Sequence, residues 1–365
     1  MNTDPWHFER SHLAESALGL LVDGPAQALA LFGPRRTGKT EFLIKDLGPL
    51  AESRGHRVIY ASFWQSPLSP LAALLHALEI SRREGSLGDR VRSATSRLSS
   101  RLELSAPLPG ASAKAAIDLS GLRGEPPADL LLYLDDLLGR LARPTTPTLL
   151  MLDEVQDLAR DATNRSLVAA LRTSLDTRSD GLVTVFTGSS REALKAMFSA
   201  SEAPFFHFAT PLDLPRLGDD FVDHLLTAFA AASTRVLDRE AALEAFGLLH
   251  RNPFFFRRLL ELLLLNPALT VPDAAVQLRE RIAEELGYNR TWISLTPIQR
   301  ALALTLARGT ERPFSQSNRD EIGVLLNGPQ PSISRVQTAM RKLAGMGLAV
   351  RWTGSWALDD PEFVA

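Results

Sequence analysis

Leu29-Ala30-Leu31-Phe32-Gly33-Pro34-Arg35-Arg36-Thr37-Gly38-Lys39-Thr40-Glu41 is the stretch on which the reading of this chain turns. Gln27 to Phe32 is a short apolar run with strand character, and Thr40 to Lys45 has the pattern of a helix start. Between them the spacing is G-x-x-x-x-G-K-T. Gly33 and Gly38 let the backbone turn tightly, so that successive N–H groups line a concavity, and the positive end of the following helix adds to its attraction for anions. In such a loop Lys39 reaches the terminal phosphates of a nucleoside triphosphate and the Thr40 hydroxyl ligates magnesium. Gly33, Pro34, Arg35, Arg36, Thr37, Gly38, Lys39, Thr40 and Glu41 are therefore the candidate binding set for ATP or ADP. The chain has five lysines, Lys39, Lys45, Lys114, Lys195 and Lys342, so a lysine at this place is not a by-product of abundance.

A second element answers the first. Leu149-Leu150-Met151-Leu152-Asp153-Glu154 is an apolar run ending in two acids. Strands often stop at charge, but beside a phosphate loop the pair has a division of labour. Asp153 is placed to hold magnesium through water, and Glu154 to orient or deprotonate the attacking water. A third apolar run ends in Phe186-Thr187-Gly188-Ser189-Ser190, where the Ser189 hydroxyl could sense the γ-phosphate. An ordinary Gly-Ser turn would carry the same letters. No [NT]-K-x-D segment for reading guanine occurs, which favours ATP over GTP. Leu119-Ser120-Gly121 faintly matches a transporter-ATPase signature, but Pro126 and Pro127 stand where a helix should run. The seven histidines show no metal-ligand spacing.

Working outward, Arg57 to Phe63, Pro147 to Leu152 and Leu182 to Phe186 read as strands, and Leu68 to Ile80 and Ala128 to Leu141 as helices. Strands alternating with helices imply an α/β fold with a parallel sheet covered on both faces. Ser81 to Pro127 shifts to Ser, Arg, Gly and Pro with weak periodicity, the composition of an insertion or loop. Pro204, Pro211 and Pro215 punctuate a boundary, and from Leu217 to about Leu286 the pattern is helical throughout.

Composition narrows the class. The 365 residues are 45% hydrophobic and 22% charged, enough for two or three packed domains. A net charge of -2 excludes coating nucleic acid or anionic lipid by bulk charge, so any polyanion site is local. With no cysteine, disulfides and thiolate metal sites are excluded. Met1 to His12 lacks the apolar stretch of a secretory signal, and runs such as Leu259 to Leu265 fall short of the roughly 20 residues of a membrane span. A cytoplasmic protein with no membrane partner is expected.

Near the C-terminus, Ser332 to Met346 places Ile333, Val336, Met340 and Leu343 on one helical face and leaves Arg335, Thr338, Arg341 and Lys342 exposed. Leu348 to Trp352, the turn Thr353-Gly354-Ser355 and Trp356 to Leu358 read as a hairpin. This is the layout of a recognition helix followed by a wing, with Arg351 able to reach phosphates of double-stranded DNA. Asp359, Asp360 and Glu362 oppose that approach, and such units also dock proteins, so a DNA and a protein partner both stay open.

The order of these motifs resembles the AAA+-related signal-transducing ATPases with numerous domains (STAND), in particular the archaeal-ATPase type. Members open with a short aromatic-containing box, here Phe8-Glu9-Arg10, followed by the P-loop, a D-E strand, a G-S strand end, a helical lid and a winged helix. The resemblance implies a P-loop core over residues 1–213 with residues 81–127 inserted, a helical lid over 214–290 and a winged helix over 291–365. It matches Arg251-Asn252-Pro253 to the G-x-P-like element of the lid, with arginine replacing glycine. Pro253 would then touch the adenine side, and Arg251 would face the phosphates or serve as a surface or capping residue. Many relatives also carry a P-L-Y-G-R segment whose arginine contacts nucleotide on a neighbouring copy. The corresponding stretch here is Pro204-Phe205-Phe206-His207-Phe208, with Phe208 at the arginine position. Loss of a trans-acting arginine removes a factor of about 10³ to 10⁵ in rate, so the resemblance implies slow turnover unless Arg191, Arg216 or a partner substitutes. A nucleotide-driven switch is favoured over a motor, with a nucleotide-bound scaffold of negligible hydrolysis and a nucleotide-indifferent repressor as the competing readings.

Overall fold

The computed structural model describes residues 4–63, 69–83, 129–159, 164–188, 205, 207–233, 235–285, 287–310, 312–352, 355–358 and 363. Its centre is a parallel sheet of β1 (Ala28–Phe32), β2 (Val58–Ser62), β3 (Thr148–Asp153), β4 (Leu182–Thr187) and β5 (Thr210–Asp213), in the order β2-β3-β4-β1-β5. β1, β3 and β4 are buried along their whole length. That is why they read as unbroken apolar runs rather than as alternating ones.

Alternation along each strand divides the core in two. Leu29, Leu31, Leu149, Met151, Val183 and Val185 pack against α1 (Ser11–Val22) and the helical run that follows the loop. Ala30, Ala61, Leu150, Leu152 and Phe186 face the other way, against α4 (Pro70–Arg83), α5 (Leu130–Leu141) and α6 (Arg165–Asp176). The run after the loop is α2 (Lys39–Glu41), a π-helical segment Phe42–Leu47, and α3 (Gly48–Ser53).

Two elements escape the sequence reading. α1 buries Ala14, Ala17, Leu18 and Leu21, a helical spacing of small and large apolar residues behind a polar start. β5 contains Pro211, which reads as a breaker. Among the described residues β5 lies at the sheet edge, paired with β1 (Ala30 opposite Pro211), and an edge strand is where a residue without an N–H is tolerated.

Beyond the sheet come α7 (Asp219–Ser233), α8 (Arg239–Leu248), α9 (Pro253–Leu265) and α10 (Val271–Glu285). They close around Phe221, Phe229, Phe246, Phe255 and Phe256. Their starts are capped as the sequence allows. Asp238 accepts from the Ala241 N–H, and Asn252 accepts from those of Phe254 and Phe255 ahead of Pro253 at the first helical position. α11 (Tyr288–Ser294) crosses position 290, and its Tyr288 packs against both the preceding helices and the last cluster.

That last cluster is built from α12 (Pro297–Ala307), α13 (Gln316–Leu325), α14 (Ile333–Gly345) and the antiparallel hairpin β6 (Ala349–Trp352) and β7 (Ser355–Leu358). Val336, Met340 and Leu343 are buried as their spacing predicts. Ile333 is not: it is 48% exposed, because it is the first residue of α14 and precedes the turn that packs, and Ala339 fills the buried face instead. Among the described residues no helix is long and apolar enough to cross a membrane.

Candidate functional site

The loop from Gly33 to Gly38 leaves the end of β1 and enters α2. Gly38 sits at φ 89° and Arg36 at φ 61°, the left-handed region that tight reversals require. At Gly33 a Cβ would lie 3.1 Å from Thr37 Oγ1 and 3.3 Å from Leu214 Cβ, so those side chains would have to give by a few tenths of an ångström. The loop is held by its own side chains. Thr37 Oγ1 donates to the Pro34 carbonyl at 2.8 Å, and Lys39 Nζ donates to the carbonyls of Gly33 and Pro34, each at 2.8 Å. Lys39 is 5% exposed. Its ammonium thus braces the loop.

The ends of β3, β4 and β2 meet this loop. Thr40 Oγ1 donates to Asp153 Oδ2 at 2.8 Å, across 113 positions of sequence. Tyr60 donates to the same oxygen at 2.9 Å, and Thr187 donates to Oδ1. Burial raises the Asp153 carboxyl above its ordinary pKa, the Thr187, Thr40 and Tyr60 hydroxyls oppose that rise, and the nearby Glu154 charge adds to it. Glu154 lies at φ 59°, an unusual conformation for a residue with a Cβ. Its carboxylate accepts from the Gln156 side-chain amide. Ser189, the candidate at the end of β4, lies outside the described residues, as do Ser190, Arg191, Phe206 and Leu119-Ser120-Gly121. The described hydroxyl at the end of this strand is that of Thr187.

The N-terminal box and the helices beyond the sheet approach the loop from the other side. Arg10 Nη2 donates to the Thr37 carbonyl at 2.8 Å, and burial lowers its pKa. Phe8 packs edge-on against Phe221 and His224 of α7. The Arg36 guanidinium lies 5.8 Å from the ring centre of Phe254 and 5.1 Å from that of Phe255, at the start of α9. Glu41 accepts from Lys45 at 2.8 Å and from Arg257 of α9 at 3.0 Å, while Arg257 also donates to the Trp6 carbonyl. Burial alone would raise the Glu41 carboxyl, but Arg257 and Lys45 outweigh it and hold it below its ordinary value. Within the π-helical segment, buried Asp46 pairs with His7 at 2.6 Å. None of these long-range partners is visible in sequence spacing.

Other expected residues fall elsewhere. Pro253 is buried at the start of α9, next to the Phe254 and Phe255 rings that hold Arg36. Arg251 stands at φ 56° just past α8, its N–H closing on the Phe246 carbonyl at 2.8 Å. Its guanidinium pairs with Asp219 at 2.8 Å and lies over the Phe246 ring. Phe205 and Phe208 are buried against Phe186 on the α4–α6 face of the sheet. The Arg172 guanidinium of α6 lies 4.3 Å from the Phe208 ring centre. These rings therefore belong to the core of the sheet. Arg216 is exposed. Arg335, Thr338, Arg341 and Lys342 are all exposed on α14, and Arg351 lies in β6 with its side chain outside the described residues.

The donor chemistry fits a magnesium nucleotide. Magnesium takes hard oxygen ligands, usually one or two carboxylates plus phosphate oxygens and water. Thr40 and Asp153 offer one hydroxyl and one carboxylate at the loop, and among the described residues no cluster of three or more His, Cys, Asp or Glu forms a metal cage by itself.

No protein-family model matches the chain, and no curated protein is similar to it in sequence. Solved structures are similar in fold. A Walker-type ATPase of Pyrococcus abyssi superposes with a TM-score of 0.63 at 18% identity, covering 98% of this chain and 95% of that one. The Aeropyrum pernix ORC2 protein in its ADP form gives 0.53 at 14% identity, covering 96% and 88%, and its ADPNP-ADP form gives 0.53 at 15%, covering 97% and 90%. The fold shared with these structures is a five-stranded parallel sheet with helices on both faces.

Proposed function

We propose that the chain binds ATP with magnesium on the loop Gly33 to Thr40, hydrolyses it slowly, and uses the nucleotide state as a switch of the signal-transducing AAA+ type. The observation that carries this reading is the meeting of Thr40 with Asp153 at 2.8 Å, beside Lys39 and Glu154, at the ends of strands distant in sequence. Such a constellation has no structural need of a phosphate loop on one side and paired acids on the other. Bound magnesium would neutralise charge on the phosphates. Lys39 and the loop N–H groups would orient the phosphates, Thr40 and Asp153 would hold the metal, and Glu154 would receive the proton of the attacking water. The solved ADP and ADPNP-ADP forms of the Aeropyrum pernix fold neighbour agree with an adenine nucleotide.

Slow turnover follows from Phe208, which is core where a trans-acting arginine would stand. Residues 214–290 are proposed as the lid, linked to the loop through Arg257–Glu41 and Arg36–Phe254/Phe255. Residues 291–365 are proposed as a winged helix presenting Arg335, Thr338, Arg341 and Lys342 to DNA or to a protein. Hydrolysis is tested with Glu154→Gln, which keeps the shape but accepts no proton. Magnesium-dependent phosphate release should fall at least about 100-fold, the scale of a lost general base, with nucleotide affinity retained. Turnover unchanged in that variant removes Glu154 from the chemistry, and tight binding without wild-type turnover favours the scaffold.

A further inference from the structure

Tyr60 stands at the site without belonging to any of its motifs. The β2–β3 register sets Tyr60 opposite Met151 and Ser62 opposite Asp153, so the Tyr60 ring is the diagonal neighbour of Asp153 on one face of the sheet. Its hydroxyl donates to Asp153 Oδ2 at 2.9 Å, the same oxygen that accepts from Thr40 at 2.8 Å. Thr187 holds Oδ1. The carboxylate is thus fixed from both ends by three hydroxyls carried on three different elements.

These donors are not equivalent. Thr40 can offer an oxygen lone pair to a cation while its hydrogen stays on Oδ2, so its position is set by the cation as well as by Asp153. A metal-ligating carboxylate keeps its direction only if an outer partner holds it, and loss of such a partner typically weakens metal binding about 10- to 100-fold. On Oδ2 that partner is Tyr60, whose ring is carried by β2 and whose hydroxyl donates to Asp153.

We propose that Tyr60 is a positioning residue for the divalent cation: it fixes Asp153 Oδ2 so that the site's magnesium affinity, and not its affinity for the nucleotide itself, depends on the phenol hydroxyl. The proposal rests on the assignment of the loop to nucleotide and of Thr40 and Asp153 to magnesium.

The test is Tyr60→Phe in the full chain, which keeps the ring and removes only the hydroxyl. A fluorescent ADP analogue is titrated in excess EDTA to give the metal-free affinity. Magnesium is then titrated into the nucleotide-bound protein, with a thermal melt in parallel. The expected result is a metal-free affinity within about twofold of wild type and an apparent magnesium affinity weaker by about 10-fold or more. Equal magnesium affinity in the two proteins overturns the proposal. So does a Tyr60→Phe protein that loses metal-free and magnesium affinity by the same factor, since the hydroxyl would then serve the loop as a whole. Tyr60→Trp, which restores a ring donor at a different height, guards against a poorly folded phenylalanine variant. If both variants melt like wild type and show wild-type magnesium dependence, the hydroxyl has no such role. Failure of the underlying reading looks different: wild type itself takes up no nucleotide.

Discussion

Phe208 shows what one position decides. Its ring is 8% exposed and packs 6.0 Å from Phe186 and 5.7 Å from Phe205, centre to centre, under the Arg172 guanidinium. Placing an arginine there would bury a second guanidinium beside the first, whose carboxylate partner Asp176 is already engaged. Burying an unpaired charge of this kind costs about 3 kcal/mol or more. Phe208→Arg should therefore lower the melting temperature by several degrees and leave specific activity unchanged in the folded fraction. A variant that melts like wild type and gains activity would show that the segment can serve as a finger after all. At this scale the phosphate loop and the Asp153-Glu154 pair were legible because their chemistry is written in adjacent letters. Tyr60 and Arg10 were not, because their partners lie 93 and 27 positions away and only the fold brings them together.

Among the elements, the junction of the N-terminal segment, α2 and α9 is the most consequential. Glu41 follows the proposed metal ligand Thr40 and joins Lys45 to Arg257, which in turn holds the Trp6 carbonyl. Movement at the loop is thereby coupled to α9. Glu41→Gln should weaken this link and speed hydrogen exchange in residues 4–10 by about 10-fold, the equivalent of one charge-assisted hydrogen bond of about 1.5 kcal/mol. The pH dependence has a definite sign. The folded-state pKa of Glu41 is lowered, so its contribution is present above the ordinary glutamate value and is lost as pH falls through the folded value. Wild type should loosen on acidification and Glu41→Gln should already be loose. Identical exchange in both proteins would remove Glu41 from the coupling. Strands with both faces buried were legible as apolar runs, whereas β5 was hidden because Pro211 speaks against a strand unless the open edge is known.

For the whole molecule, the sheet, the helices of residues 219–285 and the terminal helix-hairpin unit each have their own apolar cluster. The helical run after the sheet was legible from the shift of hydrophobic period. The contacts joining them were not, because Arg36 on Phe254 and Phe255 is set by three-dimensional approach and not by pattern. If no second copy completes the site, turnover per molecule should be flat across a dilution series. A steep rise with protein concentration, abolished by Arg216→Ala, would instead show that a neighbour supplies an arginine.

The most direct test of the account is calorimetric titration of magnesium ATP into the wild-type chain and into Lys39→Ala, with a melt of each. The account predicts saturable one-to-one binding by wild type. In the folded variant, the lost charge-assisted bonds of about 1.5–3 kcal/mol should weaken affinity by about 10- to 100-fold. Because Lys39 Nζ also braces the Gly33 and Pro34 carbonyls, a small drop in melting temperature should accompany that loss. No saturable uptake by wild type, or wild-type affinity in a folded Lys39→Ala protein, would contradict the assignment of this loop to the nucleotide.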